Sequence, residues 1–234
     1  MRNICLGVAL LAVAAPAMAQ DLDSQEIIVT ASRIEQDDYS DTMPAVGLRR
    51  QADFLVQSVV IRGDTREQAQ RRQEIRKMLA DAVRRADAMG IELAYGTYIL
   101  TRLTAANVDE IGLQNDNRPD SERVVFLVKA RLGGTQSGEA AQAQIARYIE
   151  SVPEVGRAQM DEWGDSTLSI VGPDGYRPQI AEKIAEDSLA MATRLGDGYG
   201  VEIEGLNMPV QWAQSGPGEV LLFIPYRLVV VPRR

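Results

Sequence analysis

Between Phe54 and Gly90 the chain changes its apolar period once, and that change restricts the fold more than any other feature. Phe54-Leu55-Val56-Gln57-Ser58-Val59-Val60-Ile61 is rich in β-branched residues and reads as a largely buried strand. Gly63-Asp64 turns the chain, and Thr65 with Gln68 is expected to form a capping-box pair. Ile75, Met78, Leu79, Ala82, Val83, Ala86 and Met89 then share one stripe of a long amphipathic helix, with Gly90 where a helix C-terminal glycine belongs. A buried strand and a helix with one apolar stripe must cover each other, so the chain has to build a sheet with helices packed on it.

The same alternation continues downstream. Ile91 to Leu103 reads as the next strand, and the polar run Asn107 to Glu122 as a loop or hairpin connection. Arg123 to Leu132 is a strand centred on Val124-Val125-Phe126-Leu127-Val128. Ser137 opens a second helix carrying Ala141, Ile145, Tyr148, Ile149 and Val152, which Pro153 closes. Thr167 to Val171 is a short strand, Gly172-Pro173-Asp174-Gly175 a turn, and Pro178 lies in the first turn of a third helix. That helix places Ile180, Ile184, Ser188, Met191 and Leu195 on one stripe and ends at Gly196. Trp212 to Gly218 reads as an exposed turn. Val220 to Val231 reads as a final strand in which Pro225 marks a bulge or a sheet edge. Three helices among five or six strands predict an α+β fold, a mixed and mostly antiparallel sheet with about three helices packed on it.

Composition removes much chemistry. The chain has no histidine and a single cysteine, Cys5, so imidazole bases, Ser-His-Asp and Cys-His catalysis, and zinc sites of the usual ligand types are all excluded. Lysine is confined to Lys77, Lys129 and Lys183. A formal charge of −8 argues against nonspecific nucleic-acid binding, and no nucleic-acid partner is expected. The exception is Arg66 to Asp87, where seven basic residues meet four acidic ones. It reads as a solvated helix face with Glu67–Arg71 and Asp81–Arg85 pairs at i,i+4.

The glycine-rich run Gly196-Asp197-Gly198-Tyr199-Gly200 follows a helix instead of opening one, which is the wrong end for a phosphate. Asp161, Glu162 and Asp165 around Trp163 suggest a carboxylate pair beside a sugar-stacking ring, but acids in a polar loop are usually just solvated. Asp109, Glu110, Asp116, Asp120 and Glu122 match no EF-hand spacing. No catalytic residue, cofactor or metal ligand is expected.

The N-terminus has its own logic. Arg2, the apolar stretch Ile4 to Ala15 and Ala17-Met18-Ala19 make the three parts of a secretory signal, residues 1–19, whose apolar part is too short to span a bilayer. No transmembrane span is expected in the mature chain, because Val220 to Val231 is interrupted by Pro225 and Arg227. Residues 20–47 read as an acidic leader around one β-rich segment, Glu26-Ile27-Ile28-Val29-Thr30.

Ala52-Asp53-Phe54, Val59 to Thr65, Glu67-Gln68-Ala69, the Met89-Gly90-Ile91 break and the stretch from Ala190 to Gly200 resemble, in that order, the SIMPL (DUF541) family of exported bacterial proteins. The resemblance covers residues 48–232. It implies a noncatalytic envelope protein, often oligomeric, in the periplasm or at the outer membrane. Members usually show a glycine-spaced first strand just before the Ala-Asp element; here the nearest segment, Ile27 to Ser32, stands behind a long acidic spacer. Glu26 to Arg33 also looks like a TonB box, the docking segment of outer-membrane TonB-dependent receptors, although a chain of 234 residues has no room for their barrel. Two expectations follow. The chain associates with itself or with another envelope protein, or it is a TonB-linked accessory protein that docks through residues 26–33, with Glu26, Ile27, Ile28, Val29 and Thr30 as the candidate contact. Those five residues serve equally well as the first strand of the domain's own sheet.

Overall fold

The structure, a computed structural model, describes residues 26–29, 45–96, 100–134 and 136–233. The expected signal 1–19 and most of the expected leader lie outside the described residues. The fold is α+β, with three α-helices packed on antiparallel sheets.

The main sheet is organised by β3 (Phe54–Gly63), which pairs along its whole length with β7 (Glu122–Arg131). On its other side β3 meets two partners in succession. Its start pairs with β9 (Thr167–Val171) and its end with β8 (Gln159–Glu162). β4 (Ile91–Tyr95) extends the sheet beyond β7, and β1 (Glu26–Val29) lies beyond β9 as an edge strand. Leu55, Val59 and Ile61 of β3 and Val124, Phe126, Val128 and Ala130 of β7 alternate onto one face and join the main core. That core includes Ile75, Met78, Leu79 and Ala82 of α1 (Gln68–Ala86) and Ala141, Ile145 and Tyr148 of α2 (Gly138–Ser151). On the opposite face Phe54, Val56, Ala94 and Leu127 form a smaller cluster. β3 is therefore buried on both faces at its start, as its composition requires.

Asp53 makes the step between sheets. β2 (Leu48–Gln51) belongs to a three-stranded sheet with β12 (Glu219–Phe223) and β11 (Gln211–Gln214). One residue before β3, the Asp53 carboxylate accepts from Val171 N at 2.7 Å and pairs with Arg50 at 2.7 Å. Its backbone N–H donates to Ser169 O.

Several expectations are corrected. Thr65 does not cap α1: Glu67 does, accepting from Ala69 N and Gln70 N, while the Thr65 hydroxyl donates to Glu74 at 2.5 Å. Arg71 turns inward and is 4 % exposed, and Asp81 pairs with Arg84 one residue short of the expected partner. Ile91 to Leu103 is two strands, β4 and β5 (Thr101–Arg102), folded back on each other. The polar run before β7 is the hairpin connection it was read as, with β6 (Gln114–Asn115) paired antiparallel to the start of β7. Gly172 precedes one turn of 3-10 helix, Pro173–Tyr176, that leads into α3 (Arg177–Leu195). Trp212 to Gln214, read as the start of a turn, lie in the strand β11 (Gln211–Gln214). Val220 to Val231 divides at Ile224-Pro225-Tyr226 into β12 and β13 (Arg227–Pro232), which pairs only with β10 (Tyr199–Glu204) in a two-stranded ribbon. The described residues hold thirteen strands, more than twice the expected number, because many are only two to five residues long.

Candidate functional site

Glu26 to Val29, the residues singled out as a contact segment, run antiparallel to β9 with Glu26 opposite Val171 and Val29 opposite Leu168. Thr30 lies outside the described residues. The structure thus brings four of the five named residues to the edge of the main sheet.

A second surface emerges at α3. Its N-terminal half buries Ile180 and Ile184, and the stripe continues through Ser188 and Ala192. Met191 and Leu195, expected on that stripe, are instead 40 % and 46 % exposed, while burial continues through Ala192. Leu189, on another side of the helix, is exposed as well, and so are Tyr199 and Val230 of the ribbon. Among the described residues, neither β10 nor β13 has a second partner strand.

The third feature is a polar cleft of about 500 Å³ at the end of β3. Four separate segments line it. They are Arg62, Gly63 and Asp64 at the end of β3, Asp116 to Arg118 with Ser121 ahead of β7, Gly156-Arg157 after α2, and Gln159 with Asp161 on β8. The register of β3 on β7 sets Arg62 directly opposite Arg123, a repulsive placement for two like charges. Asp116 resolves it by receiving both, Arg62 Nε at 3.3 Å and Arg123 at 3.0 Å. Trp163 adds its ring, with the Arg62 and Arg123 guanidinium carbons 4.8 and 5.1 Å from the ring centroid. The indole weighed and set aside as a sugar platform is stacked on arginine, and Asp161 beside it, read as solvated, lies 3.6 Å from Arg62.

A buried polar network holds the cleft from below. Glu122, 3 % exposed, accepts from Arg71 Nε at 2.9 Å and from Arg72 Nε at 2.8 Å. Arg71 also donates to Thr65 O. Burial opposes ionisation of Glu122, but the hydrogen bonds from Arg72 and Arg71 outweigh it and hold its pKa below the usual carboxylate range. Glu74 is held low chiefly by the Thr65 hydroxyl, against a desolvation penalty, with further help from Arg157 N and the Gln70 amide. Arg157, tied to Glu74 by its backbone, grips Asp64 with two bonds of 2.7 and 3.0 Å.

The basic segment of α1 is therefore only partly a solvated face, since Arg71 is an interior group and Arg76 donates to Val108 O. Among the described residues no group of three or more Asp, Glu, Cys or His side chains is placed to hold a metal ion. No helix among them is long and apolar enough to cross a membrane. Compared with protein-family models, with curated proteins and with solved structures, the chain matches none of them.

Proposed function

We propose that this chain is a noncatalytic protein of the bacterial envelope, exported by residues 1–19, SIMPL-like in kind, that works by association with a second copy of itself. The observation that carries this reading is the set of exposed apolar side chains Met191 and Leu195 on α3 and Tyr199 and Val230 on the ribbon, whose two strands each keep an unpaired edge among the described residues. Charge favours one edge over the other. β10 carries Glu202 and Glu204, so pairing two β10 strands would gather four acidic groups along one seam, whereas β13 has only Leu228 to Val231 between Arg227 and Pro232. Two β13 strands meeting antiparallel about a two-fold axis set valine against valine and keep each Arg227 away from its copy. The engagement of the cleft carboxylates by arginine supports a noncatalytic role.

Sedimentation velocity tests this. The unmodified protein should associate at micromolar concentration. Val230→Lys, which places a charge on an exposed edge position, should give a monomer with an unchanged melting temperature. A monomeric parent protein, or a lysine variant that still associates, would refute the reading.

A second reading, a TonB-linked accessory protein docking through residues 26–33, draws its support from the resemblance of Glu26 to Arg33 to a TonB box, and it requires Glu26 to Val29 to leave β9 on docking.

A further inference from the structure

The cleft calls for a different partner from the apolar surface. Its volume, about 500 Å³, falls in the range of small-molecule pockets, roughly 300–1,000 Å³. Its lining converges from four segments far apart in the chain, and each arginine but one is oriented by an aspartate. Arg157 is locked to Asp64, and Arg62 is held between Asp116 and Asp161 on the face of Trp163. Arg118 is the exception. It lines the cleft on its exposed rim, and no described acid pairs with its guanidinium.

Donors also exceed acceptors behind the rim. Arg123 shares Asp116 with Arg62, and its Nε is buried with no hydrogen-bond partner. Of the four guanidinium groups in and behind the cleft, those of Arg62, Arg123 and Arg157 are matched by Asp64, Asp116, Asp161 and, at the floor, Glu74, so the donors left over are the Arg118 guanidinium and Arg123 Nε. The floor is fixed by the Thr65–Glu74–Arg157 contacts, so the site is organised before anything binds.

We infer that this cleft binds a small molecule through an anionic group, a carboxylate or a phosphate, received by the Arg118 guanidinium beside Arg62. A planar fork of donors at an open rim suits either oxyanion, and desolvation within the cleft strengthens the contact relative to bulk water. The inference does not rest on self-association, because Arg118 and the ribbon are different surfaces and each can fail alone.

Trp163 supplies the readout, since it stacks on Arg62 and lies at the edge of the site. In a Trp212→Phe background it is the only indole left. Its fluorescence should change saturably on titration with inorganic phosphate or with acetate, and titration calorimetry on the unmodified protein should give the same midpoint. The anion that saturates at lower concentration identifies the group. Arg118→Ala should weaken that binding about tenfold or more while leaving the melting temperature unchanged. The inference is overturned if neither anion saturates, if sodium chloride at matched ionic strength gives the same response, or if Arg118→Ala leaves the midpoint where it was.

Discussion

Gly156→Ala is a sharp test of how the cleft floor is built. Gly156 has φ +60°, in the left-handed region, and a Cβ at that position would sit on the Glu74 carboxylate, well inside van der Waals contact. Glu74 cannot step aside freely. It holds Thr65 Oγ1 at 2.5 Å, Gln70 Nε2 at 2.9 Å and Arg157 N at 3.2 Å, and any retreat breaks one of them. The backbone penalty for alanine in this region is about 1 kcal/mol, and dislodging a hydrogen-bonded buried carboxylate adds about 2 kcal/mol. A total near 3 kcal/mol lowers the melting temperature of a chain this size by roughly 6–12 °C.

Gly164→Ala is the matched control, because Gly164 has φ +75° and no atom lies within 4 Å of its added Cβ. It should lose only the backbone part, about 1 kcal/mol or roughly 2–4 °C. In a Glu74→Ala background the obstruction is gone, so Gly156→Ala should then cost no more than Gly164→Ala. Thermal unfolding followed by circular dichroism measures the parent and all four variants. Equal losses at the two glycines, or an undiminished Gly156 effect without Glu74, would show that the Glu74–Gly156 contact does not organise the floor.

Three further outcomes are expected. Glu122→Gln leaves the Arg71 charge buried without a counter-charge and should lower stability by about 3 kcal/mol in urea titration. Because Glu122 and Glu74 both titrate below their ordinary value of 4.5, their stabilisation is complete above that pH and is lost as pH falls through the lowered values. The parent protein should therefore lose stability as the solution is acidified below about pH 4.5, more steeply than the Glu122→Gln variant. Ile28→Pro should speed hydrogen exchange at Thr167 to Val171 if β1 is a stable part of the sheet. Unchanged exchange there would favour residues 26–33 as a docking strand.

What was legible in the sequence is what periodicity can carry. β3, β7 and the three helices are long, and their apolar spacing repeats often enough to mark both their type and their buried faces. β8 and β11 were not legible, because Gln159 to Glu162 and Gln211 to Gln214 have little apolar signal and are strands only by virtue of remote partners, β3 and β12. The division of Val220 to Val231 was half visible. Pro225 marked the break, but nothing local says that the two halves belong to different sheets. The end of α3 was misread because from Ser188 the buried stripe continues at i+4, Ala192, and not at i+3, Met191, a choice that apolar spacing alone does not make. The cleft was illegible as a site. Arg62 and Arg123 each stand at the end of an apolar strand, yet only the register of β3 on β7 makes them opposite, and only the loop before β7 brings Asp116 to both.

That register explains why one strand serves both a core and a site. Over Phe54 to Val56, β3 lies between β7 and β9, and both of its faces are apolar and covered. At Gln57-Ser58 its outer partner changes: Gln57 Nε2 donates to Gly164 O at 2.9 Å, and Trp163 N donates to Ser58 O at 2.8 Å. Those two bonds bridge the gap between β9 and β8 and hold Trp163 at the sheet's open face. From there to Gly63 the strand runs beside β8, whose Asp161 and Gln159 are polar, so the face away from the helices changes from apolar to charged at Arg62. Like charges at Arg62 and Arg123 would be a liability in an ordinary ladder. Here Asp116 and the Trp163 ring are already in position, so the pair persists side by side at the end of β3.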